Sequence, residues 1–389
     1  VTLPGWPYHL SSRQRVSPAG TWLLGSALLL LAIGVVVLYS ASFYRSSIIN
    51  SGDSAVFLRQ QLVGVTVGVL ALIVGALARP RLWVQLAPVA YVATVVLLAL
   101  TLTPLGIHLN DATRWFAIGP LRFQPSEIAK LTLPLMLLWA IEKQKEQVSA
   151  GEKSIKRAAV ETSLLLAIPT GLIFMQPDLG TSSFIFLLGF LLLLSWPGLA
   201  SRVLGTVLVL GALTSPVWVQ KLTGRWPEIQ ERFMAVIDPE SVDQVRHSLL
   251  GIGSGGWTGK GIGMGIEKTL YLPAEFSDFI FAVFAEETGF IGVFVLIGLF
   301  LVLLASGWRV GHQSPDVGVG VLALVIVASI TGQTAINMLV NTALMPTKGI
   351  PLPFLSHGSS GLVMTLFQIG VLVAIARTAR VPGQEEVPA

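Results

Sequence analysis

What most limits the fold of this chain is its series of long apolar runs, clearest at Thr21 to Leu38, Leu62 to Leu77, Leu86 to Leu102 and Phe294 to Leu304. Crossing a bilayer takes ~20 mostly apolar residues, and the hydrocarbon core offers the backbone no water, so each run must close its own hydrogen bonds as a helix. A closed barrel is the other solution, but the alternation of apolar and polar residues along barrel strands is absent. With 53% hydrophobic and only 12% charged residues, the chain is too apolar for a soluble fold. Helices are expected near 19–43, 56–78, 82–103, 125–142, 158–175, 179–195, 199–220, 278–305, 317–344 and 358–377. The expectation is an all-α polytopic membrane protein of about ten spanning helices.

The first run follows a polar start with Arg13 and Arg15 and has no small-residue cleavage site behind it, so it reads as a retained helix. With the N-terminus inside, basic residues concentrate in the inner connections, as at Lys143, Lys145, Lys153, Lys156 and Arg157. Both termini are then cytoplasmic. The expected division is a cytoplasmic segment 1–18, a membrane domain 19–380 and a cytoplasmic tail 381–389, without an appended soluble module. Cysteine is absent, which excludes disulfides, thiolate catalysis and Cys-ligated metals. The five histidines show no paired helical spacing for zinc, and no nucleic-acid motif accompanies the basic residues.

Two outer connections depart from short turns. Pro104 to Gln124 is punctuated by Gly and Pro yet holds Trp115, Phe116 and Phe123, so it is expected to dip back into the outer interface. Residues 221–277, between the seventh and eighth helices, form one large extracytoplasmic loop with amphipathic helices at Glu228 to Val236 and Ser241 to Leu250, followed by a glycine-rich run from Gly251 to Gly265. Loops of this length usually carry function.

Ionisable residues in or beside a membrane are costly and are kept where they pair, line a wet cavity or act on a substrate. Glu127 and Lys130, three apart at the start of the fourth helix, share a face; they either fix helix packing or face a substrate. Arg114 and Arg122 stand beside aromatic residues, as interfacial anchors or as a phosphate clamp. Asp278 sits where the long loop enters the eighth helix, either as a helix cap or as a carboxylate whose pKa apolar neighbours raise toward that of a general base. Glu286 and Glu287 follow, and at least one must enter the bundle in a mainly structural role. The glycine run lacks the strand context and spacing of a nucleotide-binding loop; it offers a backbone that can approach a substrate closely, with Lys260 available for anions.

Four motifs together resemble the SEDS family of bacterial shape, elongation, division and sporulation proteins across nearly the whole chain. They are Arg114-Trp115 with Gln124-Pro-Ser-Glu127-Ile-Ala-Lys130; Gln176-Pro-Asp-Leu-Gly-Thr181, where Pro177 and Gly180 are expected to break the helix; His247 through Pro273 with Ser277-Asp-Phe-Ile-Phe281; and Gln333, Asn337 and Asn341 followed by Pro346-Thr-Lys348-Gly-Ile-Pro-Leu-Pro-Phe-Leu-Ser356-His-Gly-Ser-Ser360. Pro346 to Gly349 and Lys268 to Pro273 look more like the division branch than the elongation branch. The chain departs from the family pattern at Phe276-Ser277, where His-Thr is usual, and at His357, where Tyr is usual.

The resemblance implies a glycosyltransferase of the bacterial cytoplasmic membrane that polymerises lipid II into glycan strands. It also implies action with a class B penicillin-binding protein and with other membrane proteins of division or elongation. It carries the catalytic aspartate onto Asp278, and it makes Arg114, Arg122, Glu127, Lys130, Lys260, Lys348 and Ser356 candidate substrate-binding residues, with a divalent cation (Mg or Mn) as the one cofactor to consider. Two other readings are a lipid II flippase and a non-catalytic scaffold. The lopsided outer loop with its carboxylate and the lack of inverted repeats weigh against the first, and the retained motifs against the second.

Overall fold

The computed structural model describes residues 16–49, 51–109, 112–118, 121–213, 223–224, 226–269, 272 and 275–378. Arg13, Arg15 and Arg380, the expected seventh helix beyond residue 213, and Leu270, Tyr271 and Pro273 of the loop motif lie outside the described residues.

All ten expected helices are present. They are α1 (Pro18–Ile49), α2 (Val56–Leu77), α3 (Pro80–Leu100), α4 (Pro125–Ser149), α5 (Ile155–Met175), α6 (Leu179–Leu193) and α7 (Pro197–Leu213), then α10 (Ile280–Gln313), α11 (Val317–Asn341) and α12 (Ser359–Thr378). Between α7 and α10 the long loop holds α8 (Trp226–Ile237) and α9 (Asp243–Ser254), close to the two amphipathic stretches expected there. Among the described residues, seven helices are long and apolar enough to cross a membrane by length and composition: α1, α2, α3, α5, α10, α11 and α12. The apolar α6 is shorter. Helix α4 is long enough but carries Glu127, Lys130 and a charged C-terminal half; the first two are buried where α3, α5, α6, α11 and α12 pack around it, and Lys143, Lys145 and Glu146 are exposed.

The bundle turns the usual pattern outward. On α2 the large apolar side chains of Leu62, Val67, Leu70 and Val74 are exposed, as lipid-facing residues are, while Gly64, Gly68 and Gly75 line the buried face against α12. A Cβ on Gly75 would stand 2.9 Å from the carbonyl oxygen of Phe367, so the small residues are what let the two backbones approach.

Two findings differ from the sequence reading. Within the segment after α3, β1 (Ile107–Leu109), β2 (Ala112–Ile118) and β3 (Leu121–Phe123) form a small antiparallel sheet that the sequence reading did not include, with Ile107 opposite Trp115 and Phe116 opposite Phe123. Strand alternation then sends Arg114 and Trp115 to opposite faces, and β3 packs on α12. The second difference lies in α10, which breaks at Gly289 (φ 65°, ψ −167°). The backbone groups freed there are satisfied by the glycine run: Lys260 N donates to Glu286 O (3.0 Å), Gly261 N to Glu287 O (3.0 Å), Phe290 N to Gly256 O (2.8 Å) and Ile291 N to Trp257 O (3.1 Å). Irregular backbone inside a membrane protein persists where such partners exist. The close approach expected of the glycines is thus made to α10.

Candidate active site

Asp278 stands two residues before α10, part-buried, and three successive carbonyls, those of Phe276, Ser277 and Asp278, are held by groups from the C-terminal part of the sequence. Its carbonyl oxygen accepts from Asn337 Nδ2 and from Asn341 Nδ2, both at 2.9 Å. Ser277 O accepts from Ser356 Oγ (2.6 Å), and Phe276 O from His357 N (2.8 Å). Asn337 also donates to Ile350 O at 2.9 Å, so one side chain ties Asp278 to the 346–358 loop. The residues that replace the family's usual His-Thr are thereby fixed: Phe276 packs against Phe57 and His357, with ring centroids 4.6 and 5.6 Å away.

The spacing of Gln333, Asn337 and Asn341 explains the economy of this clamp. Residues four apart lie along one helix face, and on α11 this face is a buried polar ladder. Asn341 Oδ1 closes the other end by accepting from Ala282 N (3.2 Å) in the first turn of α10. Gln333 at the opposite end accepts from Lys130 Nζ (2.9 Å) and donates to Pro351 O (2.9 Å). Lys130 in turn pairs with Glu127 at 2.7 Å, both side chains less than a tenth exposed. One ladder therefore joins the α4 ion pair to the backbone of Asp278.

The carboxylate of Asp278 faces the 346–358 loop, with Oδ2 3.5 Å from where a Cβ on Gly349 would stand. Next to Gly349, the stem of Lys348 packs over Gly180, 3.5 Å from where a Cβ on that glycine would stand. Gly180 was expected to break the helix, but it lies in the first turn of α6, where Asp178 is the cap: it accepts from Thr181 N (3.0 Å) and Thr181 Oγ1 (2.9 Å). Arg114 reaches this turn from β2, donating from Nε to Gln176 O (3.1 Å) and from its terminal nitrogen to Pro177 O, with Asp178 3.7 Å away. Burial is the main influence that pushes Asp278 up to about 6, reinforced by the negative charge of Asp178 and opposed by Arg114.

The eight candidate residues do not all converge. Asp278, Lys348 and Arg114 gather around the α5–α6 turn, and among the described residues no carboxylate pairs with Lys348. Ser356 is occupied in holding the loop, since it accepts from Leu352 N (2.8 Å) while donating to Ser277. Arg122 is exposed on β3. Lys260 is bound to the fully buried Glu286 at 2.7 Å. Both glutamates of α10 enter the bundle: Glu286 also accepts from Ile266 N (2.9 Å), and Glu287 pairs with Lys268 and accepts from Ser40 (2.6 Å). The sequence reading gave no role to Asp178, His357, Lys268 or the ladder; the spacing of four along α11 was the available signal.

Two adjoining clefts open beside the ion pair. A smaller one is lined by Gln124, Glu127, Lys130, Thr181, Phe184 and Gly349 to Pro351, and so borders the residue facing Asp278. A larger one, of about 430 Å³, shares Gln124, Glu127 and Pro351 with it and runs along Trp115, Gln333, Ser356, His357 and Ser360. Among the described residues no group of three His, Asp or Glu side chains is arranged to hold a metal ion.

A multi-pass membrane protein with a tethered carboxylate beside a cleft at its loop-bearing end is the class that fold and site define. A family model described as "Cell cycle protein", covering FtsW, RodA and SpoVE, matches residues 21–381, and the chain belongs to that family, the SEDS family its motifs resemble. It is 34% identical over 358 residues to the probable peptidoglycan glycosyltransferase FtsW of Taylorella equigenitalis, covering 88% of this chain and 94% of that one. It is 32% identical over 354 residues to the peptidoglycan glycosyltransferase MrdB of Escherichia coli, covering 89% and 92%. Among solved structures it matches a chain from "Structural coordination of polymerization and crosslinking by a peptidoglycan synthase complex" with a TM-score of 0.68 at 28% identity, covering 91% and 96%. The rod shape determining protein RodA of Thermus thermophilus follows at a TM-score of 0.62 and 28% identity, covering 91% and 95%.

Proposed function

We propose that this chain is an inverting peptidoglycan glycosyltransferase that polymerises lipid II at the outer face of the bacterial cytoplasmic membrane. The observation that carries the reading is Asp278, a carboxylate raised to about 6 whose backbone is clamped by Asn337 and Asn341 at 2.9 Å. A base poised near the working pH is half deprotonated yet still basic enough to take a proton, and a clamped peptide holds it in place without reorganisation.

In the reaction, the 4-hydroxyl oxygen of the acceptor sugar forms a bond to the anomeric carbon of the donor, and its proton passes to Asp278. The bond from that carbon to the pyrophosphate oxygen breaks with inversion, and undecaprenyl pyrophosphate leaves. Negative charge grows on the leaving group, and Lys348, without a carboxylate partner among the described residues, is best placed to meet it. Arg114 and Arg122 follow at the same end of the bundle. Lys130 and Lys260, paired with Glu127 and Glu286, act through the shape of the site. A divalent cation, Mg²⁺ or Mn²⁺, would supply positive charge against the leaving pyrophosphate, and Asp278 and Asp178 would be the carboxylates to hold it, their mutual repulsion being what a cation would relieve.

The lipid tail stays in the bilayer while sugars and pyrophosphate lie at headgroup level, so this reading puts the long loop outside and both termini in the cytoplasm. It also makes a class B penicillin-binding protein the partner that crosslinks the product, with division more than elongation as the setting. The test is to incubate purified protein with lipid II, with and without such a partner, and to resolve glycan ladders. Asp278→Ala is expected to give none while keeping its melting temperature. Full ladders from that variant would end the assignment, and translocation of lipid II across vesicles without any ladder would favour a transporter.

A further inference from the structure

His357 lines the larger cleft, and one of its ring nitrogens is a buried polar atom that the protein does not satisfy. His357 Nε2 is buried and has no hydrogen-bond partner, although its ring is locked between Phe57 and Phe276 with centroids 5.4 and 5.6 Å away, and its backbone is pinned to Phe276 O. Buried polar atoms are almost always paired, and an exception beside a cleft points to a ligand that completes the pair. The imidazole does not serve as a cation here: burial, with the nearby Arg122 charge, pushes it down to about 4, so it is neutral across the physiological range and offers one donor and one acceptor nitrogen.

The rest of the lining says what kind of group it meets. Among the described lining residues Glu127 carries the one formal charge, and Lys130 already pairs with it; Trp115, Gln124, Gln333 and Ser360 supply an aromatic face, amides and a hydroxyl. That set, an aromatic face with a few convergent polar groups, suits a neutral, hydroxylated ring. We infer that His357 is a specificity-determining residue that hydrogen-bonds through Nε2 to a hydroxyl or N-acetyl group on a sugar of the lipid-linked substrate, an inference that rests on the glycosyltransferase reading above. The larger cleft is then a sugar subsite, set off from the Asp278 side by Gln124, Glu127 and Pro351.

The experiment compares wild type with His357→Phe, which keeps the aromatic packing and removes both nitrogens, and with His357→Gln, which returns a hydrogen-bonding group. KM for lipid II is expected to rise roughly tenfold in His357→Phe, with a much smaller change in kcat and substantial recovery in His357→Gln. Binding of lipid II and of undecaprenyl pyrophosphate to each purified protein is measured alongside. The sugar-free lipid should bind wild type and His357→Phe equally, and lipid II should not. Equal weakening of both lipids, or an unchanged KM in a folded His357→Phe, would overturn the inference. An inactive wild type would instead count against the glycosyltransferase reading, and should His357→Phe fail to melt cooperatively, His357→Gln against His357→Leu gives the same comparison.

Discussion

Two buried groups of charge, built from the same residue types, do different work. Glu127 on α4 borders both clefts and Lys130 the smaller one, and their remaining partner is a neutral amide, Gln333, that leads on to Asp278. Around the break in α10, Glu286 and Glu287 meet Lys260 and Lys268, and their other oxygen contacts are taken by Ser40 Oγ and by the amides of Ile266 and Glu267. The second group is closed, and holds the glycine run and α1 against a helix whose backbone is interrupted. The first is open on one side. An intramembrane charge is a functional signal only when it meets space that a substrate can enter.

Single substitutions should separate the two groups sharply. Lys268→Met leaves Glu287 buried without its cation, at a cost of ~3–5 kcal/mol, so the expected result is loss of cooperative melting or of detergent-stable protein. Lys268→Met combined with Glu287→Leu should recover much of that stability, because removing both charges also removes the desolvation cost. Glu127→Gln should behave the other way. The cleft admits water to Lys130, so stability falls by only ~1–2 kcal/mol, while glycan synthesis drops on the order of 100-fold through the distorted ladder and cleft. Near-normal synthesis by Glu127→Gln, or a normal melt for Lys268→Met, would collapse the distinction.

A smaller effect is expected one step along the ladder. Asn341→Ala removes one of two donors to Asp278 O and the acceptor for Ala282 N, and Asn337 still holds the carbonyl. kcat should fall about tenfold with KM little changed, as for a residue that positions the base without touching substrate. Equal losses in both parameters would show that the ladder shapes binding instead.

How far the sequence discloses this arrangement depends on the range of the interaction. The helices are legible because apolar run length is a local property, and Glu127–Lys130 because a spacing of three on a helix is a contact. The sheet is not: its strands are short, and their aromatic residues serve an interfacial segment equally well. Partners for Glu287 are hidden for a different reason, since Ser40 lies 247 residues away in the chain. The orientation of Asp278, left open by the unusual Phe276-Ser277, is set by donors 59 and 63 residues downstream. Only the period of four in Gln333, Asn337 and Asn341 announced that a polar face existed, and it could not say what the face would hold.

The mildest prediction isolates the electrostatics of Asp278 from its geometry. Its folded pKa is about 6 against an ordinary value of 3.8, so between those limits the folded protein holds a proton that the unfolded chain releases. Stability contributed by this group is therefore lost as pH rises through the window, while activity, which needs the ionised base, rises through about 6. Asp178→Asn removes the like charge that helps to raise the pKa, and the acid limb of the pH–rate profile should move down by under ~1 unit. Arg114→Ala removes the opposing cation and should move the limb up. The closed group around α10 supplies the control, because Lys260→Met changes a charge paired elsewhere with Glu286 and should leave the limb where it is in whatever activity remains. A limb that moved with Lys260 and not with Asp178 would mean that the long loop, and not the α5–α6 turn, sets the charge environment of the base.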